Sequence, residues 1–420
     1  MSASSPLRLW ARFLLERSGS TRRVDLRIAD LLTAFAAGLH SEDGKALARF
    51  LGSRKSAVDA ISAASAIARQ SECDDIELTS CVTPGSAVIP VALAYASENP
   101  GRTENAICRG YEAGIICGRA LGGARALPKV WPSLMAAPLM SAVTVSFMTG
   151  FDEEQLVHAM ALSLAGVNGR AGRPSGAPSG RWIAFAEAIG RGITAAEASG
   201  DGFRGDPDLC TEEWWRTQAG HDTIDASVLA EPVWPDVDDA EYKPFPIARQ
   251  ALCALQGFQR ILAAGLDATR IERIEAVVPR MHVAMLSQPA VLGNRTSLLC
   301  NPGFQFACAA YAPELLFDPD RKGATDALVE FSRRVTVTPT DEFDDAVASG
   351  RWPARVTVHA AGNSRCEYVD RTAFKAEDKW REILRGKDRR DFFENVASLP
   401  PGSHARLWEW VKQRLAGAAA

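Results

Sequence analysis

The chain has 420 residues, 47% of them hydrophobic and 23% charged, with a net charge of −4 at pH 7. This is a globular composition with enough apolar material for a large core and two domains. A slightly acidic chain with no long basic run argues against nucleic acid as the main partner, because phosphate binding demands a basic face.

The N-terminal segment is amphipathic, with Leu7, Trp10 and Leu14 on one helical face. It lacks the uninterrupted apolar stretch and cleavage site of a signal peptide. From Val24 to Gln70 apolar residues recur at steps of three and four, as in amphipathic helices. The segment 72–95, ECDDIELTSCVTPGSAVIPVALAY, then joins an acidic loop to a small-residue helix predicted over 87–98. Asp74 and Asp75 precede the turn Thr83-Pro84-Gly85. Acidic groups there either cap the helix or edge a site where free backbone N–H groups hold an anion.

Asn99-Pro100-Gly101 breaks that helix, and Thr103 is the expected cap of a helix running to Gly122. Residues 133–149 and 152–166 read as two more, parted at Gly150. The apolar run Pro132–Gly150 contains Pro138 and several Ser and Thr, and reads as a buried helix pair rather than a membrane span. Recurring Ala, Gly and Ser let helix axes approach closely, which predicts a compact bundle. No strand-like alternation precedes residue 269, and no Walker, GxSxG or strand-linked GxGxxG motif occurs, so a nucleotide-binding α/β fold is disfavoured.

Residues 168–181, NGRAGRPSGAPSGR, form either a flexible loop or one that closes over an anion, with Arg170, Arg173 and Arg181 as donors. A helix resumes at Trp182, a short one spans Glu212–Gln218, and 229–242 reads as a linker. After Lys243-Pro244-Phe245-Pro246 the pattern changes. Ile247–Gly265 is helical. IERIEAVVPRMHVAM, RRVTVTPTDEF and ARVTVHAAGNSRCEYVD read as strands, with helices at Phe304–Leu316 and Ala324–Arg334 and a hairpin turn at Gly362-Asn363. The expected fold is mainly α: a large all-helical domain over 1–242, a smaller α+β domain over 243–372, and helices over 373–420 that return to the first.

Nine cysteines without a CxxC pair read as reduced thiols of a cytoplasmic protein. Six scattered histidines without HxxxH or HExxH spacing give no zinc motif.

The segment DDIELTSCVTPGSAVIPVALAYASE resembles the signature of the MmgE/PrpD superfamily, which includes 2-methylcitrate dehydratase, cis-aconitate decarboxylase and iminodisuccinate epimerase. Four further segments agree in order: AICRGYEAGIICGRALG, VWPSLMAAPLMSAV, GRWIAFAEAIGRGITAAEASGDGFRG and YKPFPIARQALCALQG. The resemblance spans residues 25–400. It implies a helical domain, a smaller α+β lid, a homodimer, a small carbonyl- or carboxylate-bearing substrate and no cofactor. It also makes the acidic segment the floor of a cleft.

The resemblance carries site roles unevenly. Lys243 matches the family's lysine before Pro-aromatic-Pro. Thr83 and Trp131 stand where the family has histidines, and Arg181 stands where it has a lysine. Glu72 falls near an expected aspartate, and His282 lies beside the place of a lid tyrosine. The family's reactions remove a proton, or CO2, next to a carboxylate; histidines suit such proton transfer, and a tryptophan or threonine does not. Lys243 and Glu72 are the candidate catalytic residues, against readings as a surface lysine and a loop acid. Asp74, Asp75, Thr83, Trp131, Arg181 and His282 are candidate substrate contacts, against readings as caps, core and a strand-borne packing histidine. Two functions stay open: an enzyme with a rebuilt site performing elimination, isomerisation or cyclisation, and a catalytically silent binding or scaffold protein. A faithful methylcitrate dehydratase or cis-aconitate decarboxylase is disfavoured by Thr83, Trp131 and Arg181.

Overall fold

The computed structural model describes residues 5–17, 24–52, 54, 56–127, 129–170, 179–219, 228, 233–372 and 374–419. Arg173 and positions 229–232 of the predicted linker lie outside the described residues. The fold is mainly α, with a large helical unit and a smaller α+β unit. The first unit comprises the described parts of Met1–Ala171, Ser179–Tyr242 and Ala376–Ala420; the second comprises those of Lys243–Lys375.

Among the described residues ten helices open the first unit: α1 Pro6–Glu16, α2 Val24–Leu39, α3 Glu42–Gly52, α4 Ala57–Gln70, α5 Pro84–Tyr95, α6 Thr103–Ala120, α7 Pro132–Thr149, α8 Glu153–Leu164, α9 Gly180–Gly200 and α10 Glu212–Ala219. Helix α1 buries Leu7, Trp10, Ala11 and Leu14, the face that the spacing predicts. Helix α5 starts three residues earlier than expected, because Pro84 occupies the first turn, where its fixed φ suits a helix and its missing N–H is no loss. Thr103 does not cap α6: a 3₁₀ turn over Pro100–Arg102 puts Arg102 at the cap position. Asp152 and Gln155 form a reciprocal capping box on α8.

Helix α7 runs unbroken through Pro138 as one helix rather than a pair, and ends at Gly150 in the left-handed conformation, φ 80°. Helices α6 and α9 pack on it. A Cβ at Gly110 would come 2.4 Å from Thr144 Oγ1, and one at Gly192 would come 2.1 Å from the Pro138 carbonyl oxygen. Small residues at these crossings are therefore required by contact distance. Among the described residues only α7 is long and apolar enough to cross a membrane, and 89% of it is buried within the fold. The described part of the predicted linker is docked rather than free. Val237 and Ala240 are buried, and Glu241 exchanges two backbone hydrogen bonds with Ile76, at 2.7 and 3.0 Å.

The second unit contains α11 Arg249–Ala263, β1 Ile271–Pro279, α12 Arg280–Leu286, α13 Arg295–Cys300, α14 Pro302–Tyr311, α15 Asp326–Ser332, β2 Val335–Thr340, α16 Asp344–Ala348, β3 Ala354–Ala360 and β4 Asn363–Val369. The sheet order is β2-β1-β3-β4, with β1 parallel to β2 and the other pairs antiparallel. Pro339 sits on the edge strand β2, where its missing N–H is tolerated. Helix α11 packs on β3 and β4, and Phe258 stacks on Phe306 at 4.6 Å in the core.

Two strand expectations are corrected. The first predicted strand ends at Pro279, and residues 280–286 are helical. His282 and Leu286, four apart, are the buried pair of that turn, so the apparent alternation there was helical spacing. The hairpin turn is Ala361-Gly362, one residue earlier than predicted, with φ 49° and 76°. Asn363 already pairs with Ala360 in the ladder.

The chain then returns to the first unit as α17 Ala376–Ile383, α18 Gly386–Phe392, a π turn over Phe393–Ala397 and α19 His404–Ala419. Helix α17 packs on α2, and α19 on α3 and α5. No disulfide joins any of the nine cysteines, all of which lie among the described residues; Cys366 is exposed and Cys300 half-buried, the rest buried.

Candidate functional site

The acidic loop is held by an arginine at the end of α4. Arg69 lies 3.1 Å from Glu72 Oε2 and 3.2 Å from Asp74 Oδ1. Burial works against its charge, but Asp74 and Glu72 outweigh it and hold the guanidinium above its ordinary pKa. Glu72 has φ 59°, a left-handed backbone that a non-glycine residue adopts only when its surroundings enforce it. Cys81, at the other end of the loop, has φ 56°.

Asp75 is a capping residue. One carboxylate oxygen accepts the Gly85 N–H at 3.0 Å, and the other accepts the Tyr111 hydroxyl at 2.8 Å with Arg27 3.7 Å away. The start of α5 that might have held an external anion is thus occupied internally at Gly85. At Thr83 the backbone N–H goes to Ser133 Oγ, 3.1 Å away. Burial, reinforced by Asp75, pushes the Tyr111 phenol well above its ordinary pKa. Beneath the loop, Lys379 of α17 donates to Asp30 Oδ1 at 2.7 Å and to the Cys73 carbonyl. Burial raises the Asp30 carboxyl to about 6, with Lys379 opposing the rise.

Thr83 is buried, and its hydroxyl lies 3.2 Å from Ser133 Oγ. Trp131 is also buried, and its backbone N–H donates to the Gly169 carbonyl at 2.8 Å. Its ring stacks on Phe185 at 5.7 Å and meets Trp182 edge-on at 6.0 Å. The Arg181 guanidinium carbon lies 4.4 Å from the centre of Trp131 and 4.8 Å from Trp182; that of Arg69 lies 5.1 and 5.8 Å away. Such guanidinium–indole contacts contribute about 0.5–2 kcal/mol each. Trp182 is fixed by its own hydrogen bond to Asp43, at 3.1 Å. Arg170 is exposed, and its backbone N–H donates to Asn168 Oδ1 at 2.9 Å.

In the second unit, Lys243 is buried, so it is not a surface lysine. The Pro-Phe-Pro that follows it is tied down by buried Arg321, which donates to the Pro246 and Leu316 carbonyls, with Phe245 edge-on to Phe317 at 5.5 Å. His282 lies on α12, not on a strand, and is 2% exposed. Burial, helped by Arg249, lowers its imidazole to about 3, which leaves it neutral at physiological pH. A surface hollow of about 440 Å³ lies at Asp267, Arg270, Ala361 and Arg365, at the end of β1 and β3 opposite His282.

Glu72, Asp74, Trp131 and Arg181 are therefore gathered around Arg69, a residue that sequence reasoning missed. Its spacing to Glu72, three residues at a helix end, was a usable signal. Tyr111 was visible in the Gly-Tyr-Glu helix, and Ser133 follows Trp131-Pro132 directly. Chemically the cluster offers guanidinium donors and flat apolar walls. Thr83, Trp131 and Arg181 supply no group that exchanges a proton near neutral pH.

A family model for the MmgE/PrpD N-terminal domain matches residues 20–221, most of the helical unit. That match indicates a lyase- or dehydratase-like class of protein, whose members are generally enzymes. Over residues 20–221 the chain carries the N-terminal domain of the MmgE/PrpD family. No curated protein matches the chain significantly.

Proposed function

We propose that this protein is a cofactor-independent lyase- or isomerase-type enzyme that moves a proton next to a carbonyl or carboxylate, in an elimination, isomerisation or cyclisation. The observation that carries this reading is the placement of Arg181 over Trp131 at 4.4 Å, beside Arg69 and the acidic loop. A guanidinium beside an indole can bind a carboxylate through its planar fork of donors, while the indole walls accept an apolar body. Arg69 is already matched by Glu72 and Asp74, so a substrate with one carboxylate suits the cluster better than a tricarboxylate.

In this reading Arg181 clamps the carboxylate or carbonyl, and Lys243 acts as acid/base or stabilises the developing enolate. Glu72 is the second candidate base, although it must leave Arg69 to act. Asp74, Asp75 and Thr83 shape the floor, and Trp131 contacts substrate; within the second unit, His282 is a separate candidate substrate contact. A homodimer and a cytoplasmic setting belong to the same proposal. The test is deuterium wash-in from D2O at the substrate α-carbon across a panel of unsaturated and oxo acids. Exchange by the wild type that vanishes in Lys243→Ala supports the reading; unchanged exchange in that variant refutes the role of Lys243.

A second reading, a silent binding or scaffold member, is favoured by one observation: the Thr83 hydroxyl and the Glu72 carboxylate are both engaged by protein groups. It predicts no exchange on any member of the panel, and measurable turnover by the isolated protein removes it.

A further inference from the structure

Buried polar atoms are almost always hydrogen-bonded, so a cluster of orphans calls for an explanation. In the second unit, both ring nitrogens of His282 and the indole Nε1 of Trp352 are buried without a hydrogen-bond partner. The two residues are 2% and 1% exposed, and their rings meet edge-on at 4.7 Å between centroids. The topology explains the meeting. His282 follows the end of β1 and Trp352 precedes the start of β3, and these strands are antiparallel neighbours, so both residues emerge at the same end of the sheet. Arg249, the first residue of α11, completes the group: its guanidinium lies 6.0 Å from the Trp352 ring and also contacts Cys253 Sγ at 3.8 Å.

The chemistry of the three groups selects a ligand. The indole N–H only donates, a neutral imidazole donates from one nitrogen and accepts at the other, and the guanidinium carries a fixed positive charge. An oxygen that accepts hydrogen bonds and bears negative charge satisfies both the indole and the imidazole N–H and is favoured by the charge of the arginine. A cation would meet only the acceptor nitrogen of the imidazole, against the charge of Arg249, and an apolar group satisfies neither ring. Exclusion of bulk water makes each bond to such an oxygen stronger and each unmade bond more costly.

We propose that His282 and Trp352, backed by Arg249, form a subsite that binds a carboxylate group of the substrate. This deepens the reading of His282 as a substrate-binding residue and rests on it, but requires no turnover. Trp352 and Arg249 thereby become specificity residues that the sequence did not single out.

The test is an NMR titration of the full-length protein with crotonate and with its neutral analogue crotonamide, at matched ionic strength. The Trp352 indole N–H resonance is assigned by its loss in Trp352→Phe, which keeps an aromatic ring against His282. The expected result is a saturable shift of that resonance and of a His282 imidazole resonance with crotonate. Crotonamide should bind at least about tenfold more weakly, and Trp352→Phe and His282→Leu should each lose roughly tenfold in crotonate affinity. Absence of any crotonate shift, equal affinity for the amide, or full affinity in a folded Trp352→Phe overturns the subsite. Lys243→Ala separates this from the catalytic proposal. Loss of exchange with binding retained supports both, whereas wild-type exchange without a shift at Trp352 removes the subsite alone.

Discussion

The Tyr111 hydroxyl lies 2.8 Å from one oxygen of Asp75, and the other oxygen of the same carboxylate takes the Gly85 N–H. This single acid fastens the acidic loop to the start of α5 and the middle of α6. It also explains why position 85 is glycine: a Cβ there would lie 2.8 Å from both Asp75 Oδ1 and Tyr111 Oη. Gly85→Ala is expected to destabilise the protein by about 1–3 kcal/mol through overpacking. Tyr111→Phe, which removes a buried donor from a carboxylate, should fall in the same range of about 1–3 kcal/mol. Urea midpoints at constant m-value measure both; wild-type midpoints in both variants would show that the junction is slack.

The buried pair of Lys379 and Asp30 carries a pH signature. The folded Asp30 carboxyl keeps its proton to about pH 6, against an ordinary value of 3.8. Between those values the folded state binds more protons than the unfolded state. The Asp30 contribution is therefore fully present below pH 3.8 and declines as pH rises through 6, by about 3 kcal/mol. Lys379→Met leaves the acid buried without its cation, at an expected cost of about 3–5 kcal/mol at pH 7. That deficit should shrink at pH 5, where a protonated Asp30 no longer needs an ammonium. Unfolding free energies of both proteins at the two pH values check this, and a pH-independent deficit would contradict it.

His282 works in the opposite sense. Its folded imidazole protonates only near 3, whereas the unfolded one does so at its ordinary 6.5. The unfolded state thus binds the extra proton, and stability attributable to His282 falls as pH drops from 6.5 towards 3, by up to about 5 kcal/mol. His282→Gln should flatten this limb of the stability–pH curve. Identical acid limbs in the two proteins would show that the imidazole protonates freely in the fold.

Much of the architecture was legible because its signals are local. The Gly150 stop and the apolar face of α1 lie within a few residues of what they control. The limits of β1 and of the hairpin turn were misjudged where one pattern fits two structures: His282 and Leu286 satisfy helical spacing inside an alternating run. The site was legible only in outline. Thr83, Trp131 and Arg181 could be singled out by their places in ordered motifs. Their partners could not, because Lys379 reaches Asp30 across 349 positions and Thr83 reaches Ser133 across 50. Those pairings are products of packing, and neither partner carries a mark of it in its neighbouring residues.

Trp131→His places a titratable ring at 131 without an environment built for it. The substitution removes the ring on which Arg181, Arg69 and Phe185 converge, and an expected loss of about 2–4 kcal/mol follows from the cavity and the lost cation contacts. No decarboxylation of cis-aconitate is expected from the variant. Thermal melting and an assay for released CO2 provide the two measurements, and a stable, active variant would count against the rebuilt site.

The Trp131 cluster also bears on mutational tolerance. Two guanidiniums, a second indole and a phenyl ring meet around one side chain, so a substitution at 131 changes the surroundings of all four at once. Packing of this kind makes the position a keystone: what its neighbours can become depends on the indole staying in place.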